Sequence, residues 1–164
     1  AALVKRFGEG RYALAWQNPT ITLDAGQHNR AEVEQAAADF LQDYPGIHTV
    51  FARAQLLTGQ LPATKFGQMA ARSWHRQLSG ELFVIQKPGW YLYNESDEYC
   101  VTHGSPWAYD TNVPLMFMGK PWIKPGRQNQ SVEVVDLAAT LAGVLNVRPP
   151  SGCEGRILHE IALP

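Results

Sequence analysis

The seven residues 113–119, "VPLMFMG", form an unbroken apolar run, and this run limits the possible folds more than any other stretch of the chain. A strand with one wet face alternates apolar and polar residues. One that is apolar throughout is buried on both faces, as in a parallel sheet covered by helices. Pro114, near its start, suits the first residues of a strand. The remaining C-terminal residues offer this strand little cover. "KPWIKPGR" reads as a turn-rich connection. "VEVVDLAATLAGVLNV" reads as a helix capped by Asp136, with Leu137, Leu141, Val144 and Leu145 on one stripe, and Pro149-Pro150 ends it. One strand and one helix cannot close a two-sided sheet. An exposed apolar surface around Leu115, Phe117, Leu137 and Leu141 is therefore expected, and it would favour self-association.

Upstream the pattern is different. Two short β-favouring runs, residues 12–16 and 20–23, flank Asn18-Pro19, a strong turn signal. In "NRAEVEQAAADFLQDYPG", Val33, Ala36, Ala37, Phe40 and Leu41 share one helical face; Asn29 with Glu32 resembles a capping box, and Pro45-Gly46 stops the helix. A strand is expected over about residues 47–53, and a second helix over about 64–77, with Phe66, Met69, Ala70 and Trp74 on its inner face. "GELFVIQKPGW" supplies a further strand, ended by Pro88-Gly89. The order β-β-α-β-α-β suits a small antiparallel or mixed sheet with helices packed on one face. The acidic stretch "YNESDEYC" marks the expected boundary between this α+β lobe, residues 1–99, and a strand-loop-helix portion of an α/β fold, residues 100–164.

Fourteen basic residues against fifteen acidic ones, with no dense run of either sign, lack the footprint of a nucleic-acid binder. No apolar segment approaches the roughly 20 residues that cross a bilayer, and "AALVKRFGEGRY" does not read as a signal peptide. The chain opens without Met inside sequence that already looks structured, so it is expected to be a piece of something longer. Cys100 and Cys153 are too few for a disulfide framework, and either a single bridge or two thiols is compatible with them.

The candidate chemistry converges on residues 102–110. Ser105, His103 and Asp110 have the residue types of a catalytic triad, but no Gly-x-Ser-x-Gly turn is present and all three share one short loop, which argues against it. The five histidines (His28, His48, His75, His103 and His159) show none of the paired spacings of a local zinc site, and Cys100 and His103 would point apart on an extended chain. His28, His48, His75 and His159 read as surface or structural residues. His103 stands apart because Gly104 permits a turn that projects the imidazole from a strand end, with Asp110 near enough to orient its other ring nitrogen. On the residues alone, His103 is either a functional ligand or an ordinary loop histidine.

"THGSPWAYDTNVPLMFMG" and "VEVVDLAATLAGVLNVRPPSGCEGRIL" together resemble the C-terminal end of the bacterial alkaline phosphatase superfamily, of the single-chain zinc-dependent type related to nucleotide pyrophosphatase/phosphodiesterases. The matching positions are Thr102-His103-Gly104-Ser105, Tyr109-Asp110, Val113-Pro114, Asp136, Thr140 and Gly155-Arg156, with Ala139 where the family commonly has Pro. "NPTITLD", "YPGIHTVFARAQLLTGQLP" and "SGELFVIQKPGWYL" resemble the small lobe that precedes this loop. The resemblance implies that His103 is a ligand of one of two zincs, with Thr102 and Asp110 as supporting neighbours. It places the nucleophile, the remaining ligands and the phosphate-contacting residues upstream of this chain, so no catalytic residue is expected here. It also implies a phosphate-ester substrate (monoester favoured, diester possible), a periplasmic or extracellular setting, and no activity for the chain alone. A non-catalytic binding module that kept the fold is the competing reading, motivated by the self-contained lobe.

Overall fold

The computed structural model describes residues 1–92 and 102–161, which fall into two compact units, Ala1–Asn112 and Val113–Pro164. The first unit contains helix α1 (Ala2–Phe7), strands β1 (Ala13–Gln17) and β2 (Thr20–Leu23), and helix α2 (Arg30–Gln42). Strand β3 (Ile47–Ala52), helices α3 (Arg53–Thr58) and α4 (Lys65–Ser73), strand β4 (Leu82–Gln86) and the short helix α5 (Ala108–Thr111) complete it. The second unit has one helix among its described residues, α6 (Asp136–Val144).

Strands β1 to β4 form an antiparallel sheet in the order β1-β2-β4-β3. The expected β-β-α-β-α-β series is therefore present, with α1 and α3 added. Helices cover both faces of the sheet rather than one. Successive side chains of a strand point to opposite faces. Leu82 and Val84 join Ala37 and Ala38 of α2 in one cluster, whereas Phe83 and Ile85 join Ala70 of α4 in another. β4 is consequently buried along its whole length, which explains its continuous apolar sequence.

The cap expected at Asn29 is formed, its Oδ1 accepting the Glu32 N–H at 3.3 Å, and Thr64 Oγ1 caps α4 by accepting the Gly67 N–H at 3.2 Å. Asp136 does not cap α6 as expected: Val135 stands at the N-cap without a side-chain cap bond, and Asp136 is the first helical residue. Val33, Ala36 and Ala37 of the predicted stripe are buried, but Phe40 is exposed and Glu34 and Ala38 are buried beside them. Arg30 reaches both Glu34 and the buried Glu81, and Glu81 Oε2 accepts the Leu23 N–H at 2.7 Å. This network ties α2, β2 and β4 together and turns α2 to bring Glu34 inward.

In the second unit, residues 113–119 form no strand. A strand exists only through its ladder partner, and none of the described residues pairs with this segment. Its exposure nonetheless has a strand-like period of two: Leu115 and Phe117 are half-buried, while Met116 and Met118 are fully open. The open apolar side chains are thus the methionines, not Leu115 and Phe117 as expected. α6 likewise buries a face other than its leucine stripe, namely Asp136, Ala139, Thr140 and Ala142, while Leu141 and Leu145 are exposed.

The buried face of α6 is held by hydrogen bonds to the chain on either side of it. Asp136 Oδ2 accepts the Glu133 N–H at 3.0 Å and its Oδ1 the Arg156 N–H at 2.9 Å; Thr140 Oγ1 accepts the Leu158 N–H at 3.0 Å. Gly155 passes so close to α6 that a Cβ there would sit 2.1 Å from Val135 O. Asp136, Thr140, Gly155 and Arg156, four of the residues that carry the resemblance, thus form a structural clasp.

Candidate functional site

The loop 102–112 packs with the first unit, beyond the boundary expected at residue 99. Two side chains attach it. Trp107 donates its indole N–H to Gln86 O of β4 at 2.8 Å, and the Tyr109 hydroxyl accepts the Gly89 N–H at 3.0 Å. Nothing in the hydrophobic periodicity singled out these two aromatics, because Trp107 only caps α5 and Tyr109 sits in that single helical turn, too short to show a stripe. The available signal was their spacing just after the His-Gly-Ser turn.

Gly104 has φ 95°, a left-handed conformation that a side chain disfavours, which accounts for glycine at this position. His103, just before it, is exposed, as is Thr102. His103, Ser105 and Asp110 line a cavity of about 370 Å³ together with Phe83, Ile85 and Trp90.

The hydrogen bond of Asp110 goes to the loop backbone: its Oδ2 accepts the Ser105 N–H at 2.8 Å. The Ser105 hydroxyl dipole and this N–H, with the nearby His103, hold the Asp110 carboxyl below the usual carboxylate range. Ser105 Oγ itself is buried with no hydrogen-bond partner in the structure, so its influence on the carboxylate is that of a neighbouring dipole. The same fact removes the serine-histidine contact that a triad requires. Asp110 thus closes the turn 105–110 and sets the loop that carries His103.

Among the described residues no three His, Cys, Asp or Glu side chains gather to hold a metal ion. The other histidines have local roles or stand in solvent. His28 packs against Phe7 and Tyr12, His48 meets Phe66 and Trp107 edge-on, and His75 Nδ1 accepts the Gln77 N–H; His159 is exposed. Cys153 has no disulfide among the described residues, and Cys100 lies outside them. No helix among the described residues is long and apolar enough to cross a membrane.

No protein-family model matches the chain. Alkaline phosphatase PhoK of Sphingomonas sp is 31% identical over 141 residues, covering 81% of this chain and 25% of that protein. Alkaline phosphatase PhoD of Zymomonas mobilis is 30% identical over 144 residues, 84% of this chain and 25% of that protein. Alkaline phosphatase PafA of Elizabethkingia meningoseptica is 29% identical over 171 residues, 98% of this chain and 30% of that protein. The crystal structure of wild-type PafA superimposes with a TM-score of 0.80 and 27% identity, covering 97% of this chain and 31% of that one. In sequence and in fold this chain belongs with the alkaline phosphatases, as a segment spanning between a quarter and a third of the proteins it matches.

Proposed function

We propose that this chain is the C-terminal part of an exported, zinc-dependent phosphoric-ester hydrolase, and that it contributes one metal ligand, His103. The observation carrying the proposal is the exposed imidazole raised on the Gly104 turn, in a chain whose matched relatives are alkaline phosphatases. A phosphomonoesterase is favoured over a phosphodiesterase because the matched relatives bear the name alkaline phosphatase. A pair of zinc ions, when bound, activates the nucleophile and neutralises charge on the leaving oxygen.

The contribution of this chain is to hold and orient. His103 offers a ring nitrogen that is neutral when it ligates, and it stands exposed beside Gly104, whose φ is 95°. Asp110, bound to the Ser105 N–H, keeps the turn closed, and Thr102 flanks the ligand. The nucleophile and the remaining ligands are assigned to parts of the enzyme outside this chain, so the chain is proposed to be inactive by itself.

The test is His103→Ala in the full-length phosphatase, with bound zinc measured by mass spectrometry beside turnover of a phosphate monoester. Zinc and activity should fall together, and unchanged zinc content would defeat the ligand assignment. Substantial zinc-dependent turnover by the purified 164-residue chain would defeat the assignment of the remaining machinery elsewhere.

A further inference from the structure

Three residues far apart in sequence meet beside the His-Gly-Ser loop. His48 of β3, Phe66 of α4 and Trp107 of the loop form a mutual edge-to-face cluster. The ring centroids are 4.9 Å apart for His48 and Phe66, 5.2 Å for His48 and Trp107, and 4.9 Å for Phe66 and Trp107. The interplanar angles of 71°, 71° and 65° are those at which the positive edge of one ring meets the negative face of another. The indole is thus held by two rings and, through its N–H, by Gln86 O at 2.8 Å. These contacts restrain the indole on two sides.

The constraint passes directly to His103. Only Gly104, Ser105 and Pro106 separate it from Trp107. The Pro106 ring fixes φ at that residue, and a residue before proline is confined to extended conformations, which restrains Ser105. Ser105 N–H is further pinned to Asp110 Oδ2 at 2.8 Å. Gly104 is then the one intrinsically loose joint, and it sits at φ 95°. With Gly104 as the one loose joint between them, the held indole limits the range of positions open to the imidazole four residues away.

We propose that Trp107, docked on His48 and Phe66, is the positioning residue that holds His103 in its metal-binding attitude, so that β3 and α4 act on the metal site through this ring cluster. The inference rests on the reading of His103 as a ligand, and it assigns a role to side chains that touch neither metal nor substrate. Outer groups that orient a ligand typically change metal affinity by about ten- to a hundredfold when removed. Trp107→Ala is expected to fall in that range.

The experiment measures zinc affinity of the full-length phosphatase by competition with a chelator, alongside its thermal midpoint. Trp107→Ala should weaken zinc binding by about ten- to a hundredfold. Trp107→Phe, which keeps one ring in the cluster but loses the N–H and the fused second ring, should recover part of it. Val33→Ala is the control, since Val33 is fully buried on α2, the helix whose Ala37 and Ala38 pack on the opposite face of the sheet. It should lower the thermal midpoint and leave zinc affinity within about twofold of wild type. If Trp107→Ala does not fold, Phe66→Leu removes one supporting ring, leaves the loop sequence intact and decides in the same way. Unchanged zinc affinity in the ring variants, or an equal loss in Val33→Ala, overturns the positioning role. His103→Ala in the same assay separates the two ideas. If it loses zinc while the ring variants do not, only the positioning role fails; if it keeps zinc, the ligand reading fails and the positioning role with it.

Discussion

Thr140→Val tests whether the hydroxyl of α6 holds residues 155–158 in the clasp. Thr140 is fully buried, and its Oγ1 accepts the N–H of Leu158, itself only 2% exposed. Valine keeps the branched shape and removes the acceptor, leaving a buried donor unpaired at a cost of about 1–3 kcal/mol. At a factor of ten per roughly 1.4 kcal/mol, the Leu158 amide should exchange with solvent about 5- to 150-fold faster. Thr140→Ser keeps the acceptor and loses one methyl group, about 0.8 kcal/mol, so its Leu158 amide should exchange no more than about fourfold faster. The assay is amide hydrogen exchange monitored by NMR, with Arg156, bonded to Asp136, as an internal comparison. Unchanged Leu158 exchange in Thr140→Val, or equal acceleration in both variants, would refute the reasoning. Either result would mean that packing of the apolar neighbours, and not the hydroxyl, holds the segment.

The buried charges make two further predictions. Glu81→Ala orphans the buried Leu23 N–H and releases Arg30, and should cost about 2–4 kcal/mol in urea unfolding; Glu34→Gln, at a carboxylate whose pKa burial raises, should be neutral or slightly stabilising at pH 7. The pH dependence separates these groups by sign. Asp136, whose backbone bonds to Glu133 and Arg156 hold it below the usual range, releases its proton more readily folded than unfolded. Its contribution is complete above the unfolded carboxylate pKa and is lost as pH falls through the folded one. Glu34 is opposite, its contribution being present at low pH and lost as pH rises through its raised pKa. Asp136→Asn should therefore flatten the acid limb of a stability-pH curve, and an unchanged acid limb would contradict the assignment.

Much of the first unit was legible because its signals are local. Asn18-Pro19 makes the turn of the β1-β2 hairpin, Asn29 caps α2, and the alternating faces of β4 account for its unbroken apolar run. The departures have one source. Phe40 and Glu34 exchanged their expected places because Glu81, 47 residues after Glu34, determines which face of α2 turns inward. The leucine stripe of α6 is a sound helical pattern, yet the buried face is set by Asp136 and Thr140, whose partners include the N–H groups of Arg156 and Leu158. Helical periodicity reports that a face is apolar and is silent about what covers it.

The site shows the same division. The sequence by itself determined that His103 precedes a glycine turn, that Asp110 lies within reach of that turn, and that residues 113–119 have the apolar character of a buried strand. Those are properties of residue type and short spacing, governed by backbone sterics and side-chain polarity over a few bonds. Only the tertiary structure decided that the carboxylate of Asp110 binds the Ser105 N–H, that Trp107 packs edge-to-face on His48 and Phe66, and that the 113–119 run pairs with none of the described residues. Each of these depends on which groups from distant parts of the chain arrive within a few ångströms, and hydrogen bonds, ring contacts and strand pairing have no energy until they do.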